Sequence, residues 1–494
     1  MQDHCLIIDQ GTTNTRATLI NPQLRPLHSV SVACAPEHLP GERWEQDPDT
    51  LWQAVLTVMQ RVVTESGLGV ERIAGLGITN QRETTVLWDA DTGQAVHPAL
   101  TWQDRRTETQ CNEWRQAGHE EDIRARTGLL LDPQFSAGKL HWLFRHHPEL
   151  QTRARQGRLR FGTIDSFLLW RLTAGQVHAT DATNASRTLL YNLTRQQWDT
   201  ELLDFFDLAP SLLPQLHNSA SAFGLVDPQW LGTRIPVLSM IGDQQASLLG
   251  HGCISDGDVK ATYGRGCFAL VNSGARPVFS QNRLLTTLAY QLPGETCYAL
   301  EGSVVTAGSV VDWLEEDLNL VTDRHHLAAL AETVPLEQTE IMVPAFTGLG
   351  APYWEQHVRG AVFGLTRDTR IRHLVAAALR SVAYQTEDML KAMRYDNIHV
   401  ACLHVDGGDL TQQWFLQSLS DLTGIKVITG DTAAITARGT AMLCGLQLGW
   451  FDNLHTAAAL CGEGPVYQPR IDEALRDRLL RGWDDAVRRI QAPA

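Results

Sequence analysis

The sequence predicts an α/β protein of two similar domains, and three observations carry this prediction. At 494 residues the chain exceeds what one hydrophobic core usually supports, so its length indicates roughly two to three domains. Two strand–loop–strand segments, Leu6–Ile20 and Asp258–Gly274, lie in separate halves of the chain. A third segment, Leu403–Gly424, has the pattern of a strand, a Gly-Gly turn and an amphipathic helix. Loops of the same kind in both halves favour two related domains.

The first segment, LIIDQGTTNTRATLI, joins two apolar runs through a longer connection than a tight hairpin needs. Gly11 gives the backbone freedom, and the hydroxyl and amide residues Thr12, Thr13 and Asn14 follow it. Such a loop can aim several N–H and O–H donors at one anion, for example a phosphate. It is neither a P-loop nor a dinucleotide-binding G-x-G-x-x-G turn. An ordinary surface hairpin is the alternative.

The other two segments also have glycine residues at the end of a predicted strand. The second segment has Gly264 and Gly266 in its turn, and the strand of the third ends in Asp406-Gly407-Gly408. Two hairpin loops and a Gly-Gly turn before a helix resemble the actin-like, ribonuclease H-like ATPase fold. That resemblance implies two α/β domains with a nucleotide- and substrate-binding cleft between them.

The boundary between the halves is predicted within Ile241–Asp258, where a buried strand ends and a turn leads to the next strand. We therefore expect an N-terminal domain at residues 1–250, with the substrate pocket and the first phosphate loop. A C-terminal domain at residues 251–494 would hold the second phosphate loop, the adenosine site and a helical tail.

Composition excludes several classes of protein. The formal net charge of −15 argues against a nucleic-acid binder, which would show a basic stripe. No run approaches the ~18 apolar residues of a membrane span, and the first strand starts too early for a signal peptide. The nine cysteines occur singly without a C-x-x-C pair, which favours buried thiols in a reducing cytoplasm.

Four further stretches could build a small polar pocket. Arg82 and Glu83 are adjacent in a loop between two predicted strands, and Trp102 stands beside a charged run. Gly128–Leu143 has a Pro turn before a helix, and Asp243 follows a strand at the start of another helix. Each has an alternative interpretation: exposed charges for the first pair, a core aromatic for Trp102 and a simple N-cap for Asp243.

Taken together, these strings resemble the FGGY family of carbohydrate kinases, and within it the branch that phosphorylates glycerol. The matching strings are DQGTT, GITNQRETT, RRT, TDATNASRT, GTRIP, GDQQA, ALEG, VPAFTGLGAPYW and FGLTR. They run in the family's order from about Asp9 to Thr440, which is nearly the whole chain.

The resemblance implies ATP-dependent phosphorylation of a small polyol, glycerol to sn-glycerol 3-phosphate first, with ATP and Mg²⁺ as cofactors. It implies that Asp243 is the catalytic base, which suits a carboxylate ionised at neutral pH, and that Asp9 lies on the Mg²⁺ side. The implied substrate-binding residues are Arg82, Glu83, Trp102, Gln134, Asp243, Gln244 and Phe268. The implied nucleotide-binding residues are Thr12, Thr13, Asn14, Arg16, Arg265, Gly308, Asp312, Gly408 and Gln412.

Five of these positions depart from the family pattern. Gln134 replaces a usual Tyr, and Arg265 replaces the Thr of a usual Gly-Thr-Gly loop. Asp312 stands for a usual Gln, Gln412 for a usual Asn and Asn14 for a usual Ser.

The departures leave two alternatives open: the same reaction on another small polyol or sugar, and a degenerate nucleotide-binding regulator. The retained Asp9, Asp243, Arg82 and Glu83 argue against the regulator, since a protein that only binds has no need of a base. The resemblance further implies a cytoplasmic homodimer or homotetramer.

Overall fold

Strands and helices are mixed along the chain, in runs of strands followed by helices, as in an α/β protein. The computed structural model describes residues 2–492, apart from 321–325, 356, 409–411, 431–433 and 463. The strands up to residue 250 are β1 (His4–Gln10), β2 (Asn14–Ile20), β3 (Pro26–Ala33), β4 (Glu37–Leu39), β5 (Arg43–Gln46), β6 (Ile73–Asn80), β7 (Val86–Asp89), β8 (Ala99–Leu100), β9 (Leu159–Gly162), β10 (Ala179–Asp181), β11 (Tyr191–Asn192), β12 (Gln197–Trp198), β13 (Gln215–His217), β14 (Ala220–Leu225) and β15 (Pro236–Gly242).

The helices of this half are mostly short, and α1 is the longest of them. They are α1 (Pro48–Ser66), α2 (Glu108–Gln116), α3 (Glu120–Thr127), α4 (Ser136–His146), α5 (Pro148–Arg155), α6 (Ile164–Leu172), α7 (Ala182–Ala185), α8 (Thr200–Phe205), α9 (Pro228–Leu231) and α10 (Asp243–Gly250). Short 3₁₀ turns lie at Val70–Arg72 and Pro210–Leu212.

The second half contains longer strands and the longest helix. Its strands are β16 (Val259–Tyr263), β17 (Cys267–Gly274), β18 (Leu285–Leu292), β19 (Glu295–Val304), β20 (Ile341–Val343), β21 (Ala361–Phe363), β22 (Cys402–Gly407), β23 (Lys426–Thr429) and β24 (Val466–Tyr467). Its helices are α11 (Gly308–Asp312) with a π-helical turn at Trp313–Asp317, α12 (Leu327–Glu332), α13 (Ile371–Tyr395), α14 (Gln413–Thr423), α15 (Ile435–Gln447), α16 (Leu454–Ala458) and α17 (Glu473–Gln491).

The two large sheets have closely similar topologies. The first has the strand order β14-β15-β6-β1-β2-β3 and the second β18-β19-β17-β16-β22-β23-β24. In each, a central strand pairs antiparallel with the strand that follows it and parallel with a later strand, as β1 does with β2 and β6, and β16 with β17 and β22. Each sheet ends in one antiparallel edge strand beyond its parallel strands. The predicted fold of two related α/β units is therefore confirmed, whereas their division at residue 250 stays a prediction.

Helix α15 belongs to the second half of the chain but packs against α10 of the first. The two helices approach so closely that a Cβ on Gly439 would lie 1.9 Å from the carbonyl oxygen of Ala246, and one on Gly250 would lie 2.0 Å from that of Ile435. Only glycine allows this contact. Because Asp243 is the first residue of α10, this packing holds its backbone.

The local predictions near the loops agree with the structure. The segments Leu6–Ile20 and Asp258–Gly274 form the pairs β1–β2 and β16–β17, and the third segment forms β22 and α14. The predicted strand before Asp243 is β15. None of the helices in the described ranges has the length and apolar character needed to cross a bilayer.

Candidate active site

The site lies where three parallel strands of the first sheet end. Gln10, Asn80 and Gly242 are register partners on β1, β6 and β15, so they form one row across the sheet. The residues that follow this row therefore converge at one edge, where open α/β sheets bind ligands. They include the loop after Gln10, the Arg82–Glu83 pair and Asp243.

The first loop is held from three sides. The Nε2 of Gln46 donates to the carbonyl oxygen of Thr12 at 2.8 Å, and the Nε1 of Trp102 donates to its hydroxyl at 2.9 Å. The backbone N–H of Gly11 donates to the carbonyl of Asn14 at 2.9 Å. Thr13 and Asn14 are exposed at the tip. The loop is thus a fixed turn with an exposed polar tip, and its role as a phosphate loop rather than an ordinary surface hairpin stays a prediction.

Arg82 and Glu83 are buried, with 4% and 2% of their surfaces exposed, so their interpretation as exposed charges is wrong. Glu83 adopts a φ of 61°, in the left-handed region that a non-glycine residue rarely occupies. Strain of this kind costs about 1–3 kcal/mol and persists where the surroundings impose it, often at functional sites. The tight turn allows the side chains of the adjacent residues Arg82 and Glu83 both to be buried.

Asp243 is the first residue of α10, after the N-cap Gly242, so the N-cap alternative is wrong as well. Its Oδ1 accepts the backbone N–H of Gln244 at 2.7 Å and lies 3.5 Å from the Nε of Arg82. No hydrogen bond or ion pair to its Oδ2 occurs within the described residues, and 27% of the side chain is exposed. Burial raises the pKa of Asp243, and the positive charges of Arg82 and Lys260 oppose that rise. One carboxylate oxygen is thereby anchored while the other is available.

Asp9 faces the same space from β1. Burial, together with the charge of Asp243, raises the pKa of Asp9 to about 7, although its register partner Arg16 lowers it. Two carboxylates that repel one another across a polar space are suited to a hard divalent cation, which prefers oxygen ligands. A divalent cation held by Asp9 would favour the ionised form of both carboxylates.

Three other predicted substrate residues, Gln134, Trp102 and Phe268, form two further contacts at the site. The Nε2 of Gln134 donates to Oε1 of Glu83 at 3.2 Å. The rings of Trp102 and Phe268 meet edge to face, with centroids 5.8 Å apart. Trp102 is half-buried rather than part of the core. Because Phe268 lies on β17, this ring pair brings the first half of the site against the hairpin that carries the second loop.

Gln244 contacts a buried lysine that the sequence analysis did not single out. The Nζ of Lys260, on β16, donates to the Oε1 of Gln244 and, at 2.9 Å, to the hydroxyl of Thr262. Because Lys260 takes the amide oxygen, the Nε2 of Gln244 is left as the group that can donate to a ligand.

The predicted nucleotide residues of the second half lie along the second sheet, apart from those of the first loop and β2. The backbone N–H of Gly308 donates to the carbonyl of Gly264 at 2.9 Å, and the carbonyl of Arg265 accepts from Ser309 at 3.1 Å. Arg265 is exposed and lines, with Asp312, a cleft of about 820 Å³ between α11 and β20–β21. Within the described residues, the Arg82, Glu83 and Asp243 cluster does not line this cleft.

Gly408 and Gln412 flank a gap in the described chain. The N–H of Gly408 donates to the carbonyl of Tyr263 at 2.9 Å, so the Gly-Gly turn packs on the end of β16. Gln412 is the N-cap residue of α14. Residues 409–411 of the predicted turn lie outside the described residues.

Two fully buried charged residues complete the site, and the sequence analysis assigned no role to either. Arg187 donates from Nε to Oε1 of Glu83 at 2.7 Å and from Nη2 to Oε1 of Glu301 at 2.8 Å. Glu301 also binds Arg82 through both oxygens, at 2.5 and 3.1 Å. Glu301 is the single charged residue of the run CYALEGSV within β19, and this isolation is the signal that could have identified it.

Comparison with known proteins agrees with this geometry. The model of the FGGY family of carbohydrate kinases matches the chain twice, with its N-terminal domain at residues 4–250 and its C-terminal domain at residues 259–448. The chain belongs to the FGGY family of carbohydrate kinases. A glycerol kinase of Ectopseudomonas mendocina is 48% identical over the full length of both chains, and glycerol kinase 1 of Pseudomonas aeruginosa is 47% identical, also over both full lengths.

Solved structures of FGGY kinases superpose on the whole chain. Plasmodium falciparum glycerol kinase with ADP has a TM-score of 0.94 and 32% identity, covering 100% of this chain and 99% of its own. A xylulose kinase of Lactobacillus acidophilus has a TM-score of 0.90 at 21% identity, covering 99% and 98%, and so shares the fold.

Proposed function

We propose that this FGGY kinase transfers the γ-phosphoryl group of ATP to glycerol and yields sn-glycerol 3-phosphate. The observation that carries the substrate is the near-half identity, over both full lengths, to proteins named glycerol kinase. The pocket of Arg82, Glu83 and Asp243 supports it, because these groups can hydrogen-bond the adjacent hydroxyls of an uncharged polyol.

Asp243 is the proposed base. Its Oδ1 is fixed by the N–H of Gln244 and by Arg82, so Oδ2 can accept the proton of the attacking hydroxyl. The alcohol oxygen then forms a bond to the γ-phosphorus while the bond to the β–γ bridging oxygen breaks and ADP leaves. Such a transfer depends on in-line positioning and charge stabilisation more than on covalent chemistry.

The polyol contacts follow from the hydrogen bonds already in place. Oε1 of Glu83 is occupied by Gln134 and Arg187, which favours Oε2 as the acceptor for a substrate hydroxyl. The Nε2 of Gln244 is a suitable donor, since Lys260 holds its oxygen. Trp102 and Phe268 provide apolar faces for the carbon chain.

Asp9 is the proposed residue on the Mg²⁺ side, and the first loop and Arg265 are proposed to face the phosphates of ATP. Mg²⁺ keeps several waters and binds through one or two carboxylates with substrate phosphates, so a single buried aspartate beside Asp243 fits it. When bound, Mg²⁺ supplies charge neutralisation for the phosphates. Among the described residues, no group of three or more His, Cys, Asp or Glu side chains is arranged so that it could hold a metal ion.

A coupled ADP-release assay of the purified protein tests the proposal. We expect glycerol to give the highest kcat/KM in a panel with erythritol, xylitol, dihydroxyacetone and D-xylulose. Omission of Mg²⁺ should abolish turnover. A protein that binds ATP but turns over none of these compounds would instead be the nucleotide-binding regulator.

A second substrate is favoured by one observation. The family resemblance implies a Tyr at the position of Gln134, which here bonds directly to Glu83, so an amide takes the place of an aromatic ring. A longer polyol or a sugar would use that space. A higher kcat/KM for any such compound than for glycerol would establish this alternative in the same panel.

The unusual Arg265 gives a separate prediction. If its guanidinium neutralises charge on the transferred phosphate, Arg265→Ala should lower kcat about tenfold or more, and Arg265→Thr should recover part of the loss. Steady-state kinetics at saturating ATP measure this, with the exposed Arg25→Ala as the matched control.

Two other outcomes would contradict this role for Arg265. An Arg265→Thr variant faster than the wild type would show that the arginine attenuates the kinase. Equal rates for the wild type and both variants would show that its side chain points only to solvent.

The proposal also covers the oligomeric state of the protein and its location in the cell. The resemblance supports a homodimer or homotetramer, which light scattering would measure. The nine single cysteines without a C-x-x-C pair support the reducing cytoplasm proposed here.

A further inference from the structure

Four of the predicted substrate residues are joined by one continuous set of hydrogen bonds and ion pairs. It runs from Gln134 to Glu83, then through Arg187 and Glu301 to Arg82 and Asp243. Arg187 and Glu301 are 0% and 1% exposed, so they reach the substrate pocket only through the residues that they hold.

Glu301 differs from the other members in its origin. It lies on β19, within the sheet of the second half, whereas Arg82, Glu83 and Arg187 come from the first half. Its Oε1 accepts from Nη2 of Arg82 at 3.1 Å and from Nη2 of Arg187 at 2.8 Å, and its Oε2 accepts from Nη1 of Arg82 at 2.5 Å. One carboxylate thus holds both guanidinium groups.

The fork between Glu301 and Arg82 determines where Arg82 points. With both of its terminal nitrogens held by Glu301, the Nε of Arg82 faces Oδ1 of Asp243 at 3.5 Å. A bidentate pair of this kind fixes the plane of the guanidinium as well as its position. Through Arg187, the same carboxylate restrains Oε1 of Glu83.

We infer that Glu301 is a positioning residue for the polyol: it fixes Arg82 and, through Arg187, Glu83 in the arrangement that binds the substrate hydroxyls. The inference rests on the proposed function and deepens it, because it makes polyol recognition depend on a carboxylate of the second sheet. Nucleotide binding does not depend on it, since Arg265, Gly308 and Asp312 form a separate group.

The substitution Glu301→Gln tests this with little change of shape. Whichever oxygen position the new NH₂ takes, it faces an N–H of Arg82, so Arg82 loses one of its two bonds in either orientation. Arg187 loses its bond in only one of them. We therefore expect the KM for the polyol to rise about tenfold or more, while the KM for ATP stays within about twofold of the wild type.

Two further variants sharpen the result. Glu301→Asp keeps the charge but shortens the side chain, so it should give a polyol KM between those of the wild type and Glu301→Gln, and it serves as the test if the Gln variant does not fold. Glu295→Gln is the matched control, because Glu295 lies on the same strand, is exposed and accepts a side-chain hydrogen bond from Tyr290, outside the set that joins Glu301 to the pocket. It should keep wild-type constants.

The polyol used is the one that the wild type turns over fastest. An unchanged polyol KM in both Glu301 variants, or equal rises of KM for polyol and ATP, would overturn the positioning role alone. A wild type that turns over no polyol would overturn the proposed function and the inference with it.

Discussion

Replacing Asp243 by Asn should lower kcat by about 10²–10⁴-fold, the usual contribution of a positioned acid–base group. The amide keeps the shape of the side chain and can still accept the N–H of Gln244, but it cannot take up the hydroxyl proton. Nucleotide affinity, measured by calorimetry, should stay near the wild type. Asp47→Asn is the matched control, since Asp47 is an exposed N-cap at which Asn serves equally well.

The pH dependence of catalysis should also indicate that Asp243 acts as the base. Burial raises the pKa of Asp243 in the free enzyme, and a base must be ionised to act. Because kcat/KM reports the groups of the free enzyme, kcat/KM for the polyol should fall with decreasing pH through a pKa above the ordinary value of about 3.9. An Asp243→Asn enzyme within a few-fold of the wild type would remove this residue from the proton transfer.

Replacing Arg187 by Met should destabilise the fold by about 3–5 kcal/mol, the usual cost of removing one partner from a buried ion pair. Arg187 is fully buried and binds two carboxylates, Glu83 and Glu301, from two different segments. The loss leaves both carboxylates with less compensation for their buried charge. Urea unfolding measures the change, with the exposed Arg25→Met as the control.

The effect of Arg187→Met should depend on pH in a definite direction. Burial raises the pKa of Glu301, but Arg187 and Arg82 outweigh it, so the pKa of Glu301 in the folded wild type is lowered. A lowered pKa stabilises the fold above the unfolded value of about 4.3 and loses that contribution as the pH falls. Without Arg187 the pKa of Glu301 should rise. On acidification Glu301 would therefore be protonated at a higher pH in the variant than in the wild type, which removes its poorly compensated charge.

The stability difference between the wild type and Arg187→Met should therefore be largest near neutral pH and shrink on acidification. A difference below about 1 kcal/mol at neutral pH, the scale of an exposed ion pair, would show that the network contributes little to stability.

Local sequence patterns were sufficient to predict the strands and helices that flank the loops. The alternation of branched residues around Gly11 and around Gly264 predicts two hairpins, and both are present as β1–β2 and β16–β17. Asp243 was expected between a strand and a helix, and it lies there. Periodicity and glycine placement act over a few residues, so a single sequence reveals them.

Burial of charge was much harder to predict. Arg82–Glu83 could equally be an exposed pair in a loop, and only the structure shows both residues almost fully buried. Their burial depends on Arg187 and Glu301, which lie more than a hundred residues further along the chain. No local pattern relates partners at such a separation.

Lys260 and Gln244 show that a partner is also hard to predict across a shorter separation in the sequence. Gln244 was predicted to contact the substrate, but which of its polar atoms faces the ligand depends on Lys260, a lone charge in an apolar strand of the other sheet. Such a charge is costly unless it is paired, so its presence was a usable signal, although its partner was not predictable.

By itself, the sequence determined the family, the two related α/β units and the loops at which chemistry was expected, because these depend on short strings and local periodicity. Only the tertiary structure decided which oxygen of Asp243 is available, how Arg82 is turned and that a carboxylate of the second sheet holds the pocket of the first. These features arise from pairing between side chains brought together from distant segments. Their energies depend on burial, which exists only once the two sheets have packed.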